Sequence, residues 1–162
     1  MPFSDHQSIS GVLHITLRDQ HGAVVEERRV RNLITRDGKL LLAGLFTGKV
    51  DAGVSLAIAV GSSAVAPAET DTALGAHVDA APAMVVEIKP FESDAGWRVR
   101  AVVSATLKAT PGDVSVKQLQ EAGIQVLSKA QGKPPVLFNH VTFPVISKGG
   151  NVEMTLSWEI TL

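Results

Sequence analysis

Residues 55–78, SLAIAVGSSAVAPAETDTALGAHV, mark the place where the pattern of the chain changes. They begin with the apolar run 56–60, which is typical of a buried strand. Gly61-Ser62-Ser63 interrupts this run, small residues follow, and DTALG at residues 71–75 predicts a capped turn or a single turn of helix. The stretch contains no evident nucleophile, general base or metal ligand. It therefore favours a protein that binds and assembles over one that catalyses.

The chain before this stretch begins with a predicted hairpin. Apolar and polar side chains alternate over residues 12–18, turn-forming residues follow at 19–22, and the strand pattern resumes over 23–30. This alternation has the period of a half-buried strand. Residues 12–31 therefore predict an antiparallel hairpin with a loop of about four residues.

A helix is expected next, over residues 36–47. Its apolar residues recur at helical spacing, at Leu40, Leu41, Ala43, Leu45 and Phe46. Thr35 can cap the start of this helix and Gly48 can stop it. Gly38 and Gly44 weaken it, by about 1 kcal/mol each relative to Ala.

Long strands follow residues 55–78. Residues 84–91 predict a strand, 92–96 carry strong turn signals, and 97–108 predict a long strand with one apolar face. Residues 114–127 fit either a helix or a strand, and AGIQVL at 122–127 favours the strand. These patterns predict mainly antiparallel strands in the second half of the chain.

Two residues in this region have a positional meaning. Gly123 within a strand marks a bulge or a close approach of another backbone segment. Residues 136–146 predict a further strand, in which Pro144 must lie at an edge or a bulge because proline has no backbone N–H.

The final stretch, 151–162, alternates without interruption. Its inward positions are Val152, Met154, Leu156, Trp158, Ile160 and Leu162. Because Leu162 still belongs to the apolar face, we expect this end to pair within its own sheet or against a neighbouring subunit.

The chain of 162 residues fits one domain, 1–162, with the main sheets over 55–162. Seven or eight mostly antiparallel strands and one short helix predict a mainly β protein. The expected architecture is an antiparallel β-sandwich or a strongly curved sheet.

Composition disfavours several classes of partner. With 15 basic and 16 acidic residues the net charge is -1, so nucleic acid and anionic membranes are not attracted by overall charge. The chain has no cysteine, which excludes disulfides and thiolate metal sites. The start lacks the pattern of a signal peptide and no apolar run reaches about 20 residues, so folding in the cytoplasm without membrane insertion is expected. Five Phe, two Trp and no Tyr offer little stacking surface for sugars or single-stranded nucleic acid.

The histidines do not have the spacing of a metal site. They lie at positions 6, 14, 21, 77 and 140. His77 and Asp79 could share a strand face, and His140 could approach them. The alternative is a set of separate surface or strand histidines, and this is the favoured interpretation.

Other motifs for chemistry are missing as well. No serine lies in G-x-S-x-G, and Gly61-Ser62-Ser63 has no helix directly after it and too few glycines for a phosphate loop. Glu69, Asp71 and Asp79 lack the dense alternation of oxygen donors that a calcium loop uses. The sequence therefore predicts no catalytic, cofactor-binding or metal-binding residue.

The second strand of the hairpin has a basic end at Arg28, Arg29 and Arg31. One interpretation is a contact with an acidic partner surface or with phosphate. The other, which we favour, is a solvated strand face paired with Glu26 and Glu27, since charged edges discourage unwanted strand pairing.

Four segments in the same order resemble small structural proteins of tailed bacteriophages and phage-tail-like particles. These segments are Asn32-Leu33-Ile34-Thr35 before the leucine-rich helix, LAIAVGSSAVAPAETDTALG at 56–75, Glu121-Ala122-Gly123-Ile124, and FPVISKGGNVEMTLSWEITL at 143–162. The resemblance covers about residues 30–162. Two positions depart from the family pattern: Gly61-Ser62-Ser63 stands where G-T-G is usual, and Ala76-His77 where an acidic residue often follows.

The resemblance implies a virion component of tail-fibre, baseplate or capsid-decoration type, without catalytic residues. It implies that the partners are other copies of the chain and other virion proteins, with the host cytoplasm as the location before assembly. The hairpin 12–31 lies largely outside the resemblance and is the expected docking element for a particular partner.

Two alternatives remain open. One is a receptor- or glycan-binding module of a tail fibre, which the scarcity of aromatic residues disfavours. The other is a small hydrolase that uses His77 or His140 with a nearby carboxylate, which requires a deep polar pocket joining those residues.

Overall fold

The computed structural model describes residues 8–162. Its elements are β1 (Ser10–Arg18), β2 (Val24–Ile34), α1 (Arg36–Phe46), β3 (Val54–Gly61), β4 (His77–Ser93), β5 (Gly96–Leu107), β6 (Val116–Ser128), β7 (Val136–Leu137), β8 (Asn139–Gly149) and β9 (Glu153–Thr161). The prediction of a mainly β chain with antiparallel strands and one helix is confirmed for these residues. His6 lies outside them.

The strands form one sheet in the order β3-β4-β5-β9-β1-β2-β8-β6, and β6 pairs again with β3. The sheet thus closes into an eight-stranded antiparallel barrel, while the short β7 pairs with β6 in line with β8. This pairing does not form the two separate sheets of the expected sandwich. The physical reason lies in β4 and in the contact between β2 and β8.

Strand β4 is 17 residues long and joins two parts of the sheet. Its first part pairs with β3 up to Leu56↔Ala83, and its second part pairs with β5 from Met84↔Ser104 onward. On the opposite side, β2 and β8 meet through only two residue pairs, Leu33↔His140 and Ile34↔Asn139. The local patterns of these strands carry no sign of either connection.

The predicted hairpin is confirmed, and it forms part of the barrel wall. β1 lies between β2 and β9, and its inward side chains Leu13, Ile15 and Leu17 are buried. In the turn, the Asp19 carboxylate accepts hydrogen bonds from the N–H groups of His21 and Ala23. The hairpin is therefore a structural component of the core rather than an appendage.

The helix begins and ends within one residue of the prediction. The Thr35 hydroxyl caps it by accepting the Gly38 N–H at 2.9 Å. Gly38 is present for close packing, because a Cβ at this position would collide with the carbonyl oxygen of Phe138. The helix covers part of one barrel end, with Leu41 in the core.

Strand β6 resolves the ambiguity between helix and strand in favour of the strand. A Cβ on Gly123 would meet the Asn139 carbonyl oxygen and the Leu137 side chain, so the predicted close approach is confirmed. The register shift of β6 lies earlier, between Leu119 and Glu121. Across from this shift, β8 pairs with β6 on both sides of Pro144, which itself takes part in no residue pair of the described ladder.

The barrel core follows the two-residue period of the strands. Its largest fully buried side chains come mainly from β1, β3, β6 and β9, among them Trp158, Leu13, Ile15, Ile58, Leu119 and Leu156. Leu162, just after β9, exchanges two backbone hydrogen bonds with Val99, at 3.1 and 2.8 Å. The apolar end of the chain thus pairs within its own sheet. Residues 8–162 include no helix with the length and apolarity needed to cross a membrane.

Candidate functional site

A histidine and two carboxylates meet beneath the long loop 62–76. His140 projects from β8, Glu121 from β6, and Asp71 from the loop. His140 Nε2 lies 2.8 Å from Glu121 Oε2, and His140 Nδ1 lies 2.7 Å from Asp71 Oδ2. Glu121 is fully buried and His140 is 4% exposed, so this charged network lies inside the protein.

Glu121 also holds the loop backbone. Its Oε1 accepts the N–H groups of Ala76 at 2.7 Å and Ser63 at 3.3 Å, and its Oε2 accepts the Gly75 N–H at 2.9 Å. Because Ser63 and Ala76 lie at opposite ends of the loop, one carboxylate fastens both ends to β6. A second bond, from the Ser62 N–H to the Ala76 carbonyl at 2.9 Å, closes the base of the loop.

The hydrogen bonds decide the charge state of both acids. Burial raises the pKa of Glu121, but the N–H groups of Ala76 and Gly75 together with His140 outweigh it, and the pKa lies below its usual range. Burial likewise raises the pKa of Asp71, and the Ala68 N–H and His140 reverse the shift. Both groups are therefore carboxylates at neutral pH.

The two carboxylates also determine which hydrogen bonds the His140 ring can make. A doubly protonated imidazole can donate to both carboxylates, whereas a neutral ring can donate to only one. In this arrangement both ring nitrogens of His140 are occupied by protein carboxylates. The network can bind the loop firmly, but it leaves neither ring nitrogen free to exchange a proton with a substrate.

The structure does not bring His77 and Asp79 to His140, as the disfavoured alternative required. His77 is exposed at the start of β4, opposite Gly61, and Asp79 pairs with Lys117 at 2.6 Å. Of the favoured interpretation, separate surface or strand histidines, the strand position holds for His140, which lies on β8, but His140 is buried and bonded on both sides rather than separate.

Of the two possibilities predicted for residues 71–75, a capped turn or a single turn of helix, the helical turn is absent. Asp71 instead closes a tight turn in which its carboxylate accepts the Ala68 N–H at 2.8 Å and its own N–H bonds the Ala68 carbonyl. Glu69 lies near Lys39, apart from Asp71 and Asp79. Within residues 8–162, no group of three or more His, Asp or Glu side chains has the arrangement to hold a metal ion.

Sequence reasoning missed the role of Glu121, and it considered His140 only with other partners. The signal was a glutamate next to the apolar run of β6, because a buried carboxylate needs partners. The motif positions of the resemblance meet at this place: Leu74 packs on Ala59 and Leu137, and a Cβ on Gly61 would collide with the Glu121 carboxylate. These positions are thus explained by one local structure.

A second buried charge lies at the far end of β8. Lys148 is 5% exposed and donates to the Lys108 carbonyl oxygen at 3.2 Å. Burial lowers its pKa, as does the neighbouring Lys117, against the opposite effect of Asp79. Lys117 also forms an ion pair with Asp79. Lys148, Lys117 and Asp79 are thus a cluster of charged side chains from β8, β6 and β4.

A group of exposed apolar side chains lies on the β4–β5 arm, which we define as residues 84–99. Its exposed apolar side chains are Met84 at 72%, Val85 at 53%, Val86 at 63%, Ile88 at 71% and Trp97 at 69%. A groove of about 210 Å³ continues from the arm into the barrel mouth, and its lining is entirely apolar, with Leu42, Phe138 and Leu162 among its residues. Exposed apolar side chains beside an apolar groove are typical of an interaction site.

The basic end of β2 lies on a charged strand edge. Arg28 forms an ion pair with Glu26, and Arg29 lies opposite His14 on β1. Beyond Leu33 and Ile34, β2 has no strand on its other side within the described chain. The Arg28–Glu26 pair agrees with the solvated edge that we favoured over a phosphate site.

Comparison with known proteins returns no match: no family model, no curated protein and no solved structure is similar enough to this chain to be reported.

Proposed function

We propose that this chain is a non-enzymatic structural subunit of a tailed phage or phage-like particle. It assembles with other copies and with other virion proteins, through strand edges, loops and chain ends, at the surface of a tail, baseplate or capsid. The observation that carries the proposal is the apolar surface of the β4–β5 arm with its adjoining groove. Apolar side chains exposed to this extent gain stability when a partner covers them.

The loop 62–76 supports an assembly role. Its base is fixed by Glu121, while Val65 near its tip is 74% exposed. A restrained backbone with an exposed apolar tip loses little conformational entropy when it contacts a neighbour. The buried network therefore prepares the loop for binding without taking part in chemistry.

The same network supports the proposal that the chain is not an enzyme. A small hydrolase with His140 as its base needs a ring nitrogen that reaches the substrate. Both nitrogens of this ring bond carboxylates, and the side chain of His140 is 5% exposed. His77 and His140 do not line a common deep polar pocket, because His77 is exposed at the start of β4 and His140 is buried beneath the loop.

Localisation in purified particles tests the proposed function. Intact particles from the native host should contain the chain in stoichiometric, symmetric copies, visible as barrel-shaped density and labelled by an antibody against the chain. The chain should also be found in the host cytoplasm before assembly. Absence from particles that are otherwise complete would overturn the proposal.

The docking role of the hairpin 12–31 calls for a point substitution. Deleting these residues would remove the central strand β1, so loss of incorporation would only report unfolding. The Arg29→Glu variant changes the exposed face of β2 and leaves the core intact. Reduced incorporation of a folded Arg29→Glu chain is the expected result if β2 docks to a partner, and full incorporation would rule out this contact.

One observation favours the receptor-binding alternative. The Trp97 ring is 69% exposed at the end of the arm, where it could stack on a sugar ring. A glycan array with the wild-type chain and with Trp97→Ala separates the two roles. Saturable binding that Trp97→Ala abolishes would favour a receptor-binding module, and an absence of binding leaves assembly as the role of the arm.

A further inference from the structure

The second part of β4 has an open edge. Up to Ala83, β4 has β3 on one side, but from Met84 to Ser93 its only partner in the described chain is β5. An unpaired strand edge presents N–H and C=O groups that another strand can bind. This edge borders the apolar side chains of the β4–β5 arm.

The hydrogen bonds of β5 show which backbone groups face the open edge. Val99 directs both its N–H and its C=O toward Leu162, so its pair with Pro90 exchanges no hydrogen bond. The backbone of Pro90 therefore faces the open edge, and by the two-residue period that of Ile88 does too. Pro90 is tolerated within β4 because the ladder to β5 needs no donor there.

We propose that the open edge of β4 pairs antiparallel with the same edge of a second copy, about a twofold axis at Ile88. The N–H of each Ile88 then donates to the C=O of the other, and the two arms form one four-stranded sheet, β5-β4-β4-β5. This inference rests on the proposed assembly role and specifies the surface by which copies associate.

The charges on β4 select this register. A twofold axis perpendicular to a sheet places residues of the same face opposite each other. With the axis at Ile88, Glu87 of each copy lies opposite Lys89 of the other, which makes two attractive pairs. An axis at Glu87 or Lys89 would oppose like charges. An axis at Pro90 would oppose two residues that both lack an N–H.

The apolar surface fits the same arrangement. Val85 and Ile88 lie opposite Val103 and Ala101 of β5, so they share the face that continues into the barrel interior. Because the twofold axis is perpendicular to the sheet, the apolar faces of the two arms lie on the same side of the four-stranded sheet and form one surface. Glu87 and Lys89 lie on the other face, where Glu87 is 3.6 Å from Arg100.

A charge reversal tests the register in the isolated full chain. Sedimentation equilibrium should give twice the chain mass of 17.1 kDa for the wild type. Lys89→Glu places two glutamates opposite each other at both sides of the axis, and we expect the dissociation constant to rise about tenfold or more. Adding Glu87→Lys to Lys89→Glu exchanges the partners and should restore the dimer.

The matched control is Arg29→Glu, the same reversal on the other open edge, at β2. It should leave the mass unchanged. A wild-type chain that stays monomeric, a dimer that Lys89→Glu does not weaken, or a double variant that stays as weak as Lys89→Glu would each overturn the twofold pairing. Circular dichroism and thermal unfolding identify any variant whose fold has changed.

A single cysteine gives a second, independent test, since the chain contains none of its own. Opposed residues on antiparallel strands have Cα atoms about 4.5 to 5.5 Å apart, within the range of a disulfide. Ile88→Cys should therefore form a covalent dimer under mild oxidation. Val114→Cys, at a loop position that is 97% exposed, is the control, and equal crosslinking of both variants would contradict the proposal.

The outcomes also separate this inference from the proposed function. A chain that is found in particles but shows neither the dimer mass nor the Ile88→Cys crosslink retains its structural role and loses only the twofold pairing. A chain that dimerises as described but is absent from particles retains the pairing and loses the virion role.

Discussion

A single carboxylate, Glu121, fixes the course of 15 loop residues, 62–76, through bonds at both of their ends. Each of its two oxygens accepts two hydrogen bonds, from three backbone N–H groups and from His140. A carboxylate that is buried this completely is stable only when all its partners are present. The stability of the loop therefore depends on this residue more than on any other in the network.

The Glu121→Gln variant replaces one accepting oxygen by an NH₂ group that faces a donor. We expect a loss of about 2 to 3 kcal/mol in the free energy of unfolding. Urea denaturation measures this loss, and hydrogen exchange should show reduced protection of the Gly75 and Ala76 amides. Glu69→Gln is the control, because Glu69 is exposed and should change the free energy by less than about 0.5 kcal/mol. A Glu121→Gln chain as stable as the control would show that the network is dispensable.

The residues of this network show where sequence reasoning stops. Periodicity assigns Leu13 or Trp158 to the core because burial repeats along a strand. It does not reveal that Glu121 and His140, on neighbouring strands, meet Asp71 from a distant loop. Their attraction depends on the sheet register and on the path of the loop, and neither is encoded in local spacing.

Among the elements, helix α1 contains a position, Gly38, where helix propensity and packing favour different residues. Gly38 lowers helix propensity, yet any larger side chain there would collide with the Phe138 carbonyl oxygen. The same carbonyl accepts a hydrogen bond from the Thr35 N–H at 3.1 Å. Helix α1 therefore packs against the barrel wall at Gly38, where no side chain separates its backbone from that of Phe138.

The Gly38→Ala variant gives opposite predictions from propensity and from structure. Propensity alone would add about 1 kcal/mol of stability. We expect instead a loss of about 1 to 3 kcal/mol, because the added methyl group displaces the backbone of Phe138. Thermal unfolding measures the sign. Ala43→Gly, at an exposed position of the same helix, should cost about 1 kcal/mol from propensity alone; stabilisation by Gly38→Ala would contradict the packing described.

Most elements could be predicted from the sequence because their patterns are local. The hairpin, the helix and the strand in β6 follow from alternation, capping and turn residues. The length of β4 could not be predicted, since Pro82 and Pro90 within it are usually read as strand ends. Pro90 is accommodated because the ladder to β5 needs no N–H donor at this position, which is a property of the assembled sheet.

For the whole molecule, the seam between β2 and β8 is the weakest part of the wall. Only two residue pairs join these strands, and His140 is a member of one of them. His140 also belongs to the network with Glu121 and Asp71. The buried network therefore stabilises both the loop and the closure of the barrel.

Acid should weaken this closure. The folded pKa values of Glu121 and Asp71 lie below their ordinary values of 4.5 and 3.8, so the unfolded chain binds more protons. Their contribution is complete above about pH 4.5 and is lost as the pH falls through the lower folded values. We expect the free energy of unfolding to fall with acidification in this range, and to fall less in Glu121→Gln. Equal pH dependence of both chains would exclude the network as the cause.

The closed barrel itself lay beyond sequence reasoning. Alternation identifies inward faces, but the same faces can line two stacked sheets or one closed sheet. The difference lies in the β4 crossing and in the two residue pairs of the seam, which involve residues more than 100 positions apart. The sequence patterns therefore predict a mainly β fold. They do not predict that the sheet closes, because closure depends on contacts between residues that are distant in the sequence.

The pairing of β1 with β9 has a mechanical consequence. Ser10 lies opposite Thr161, at the same end of two adjacent antiparallel strands. A tensile force between these two positions would load the rungs of the ladder one at a time, as in opening a zipper, rather than all together in shear. A subunit that bears tension would resist it better through a grip on its sides, such as the β4–β5 arm, than through a pull on these two strand ends.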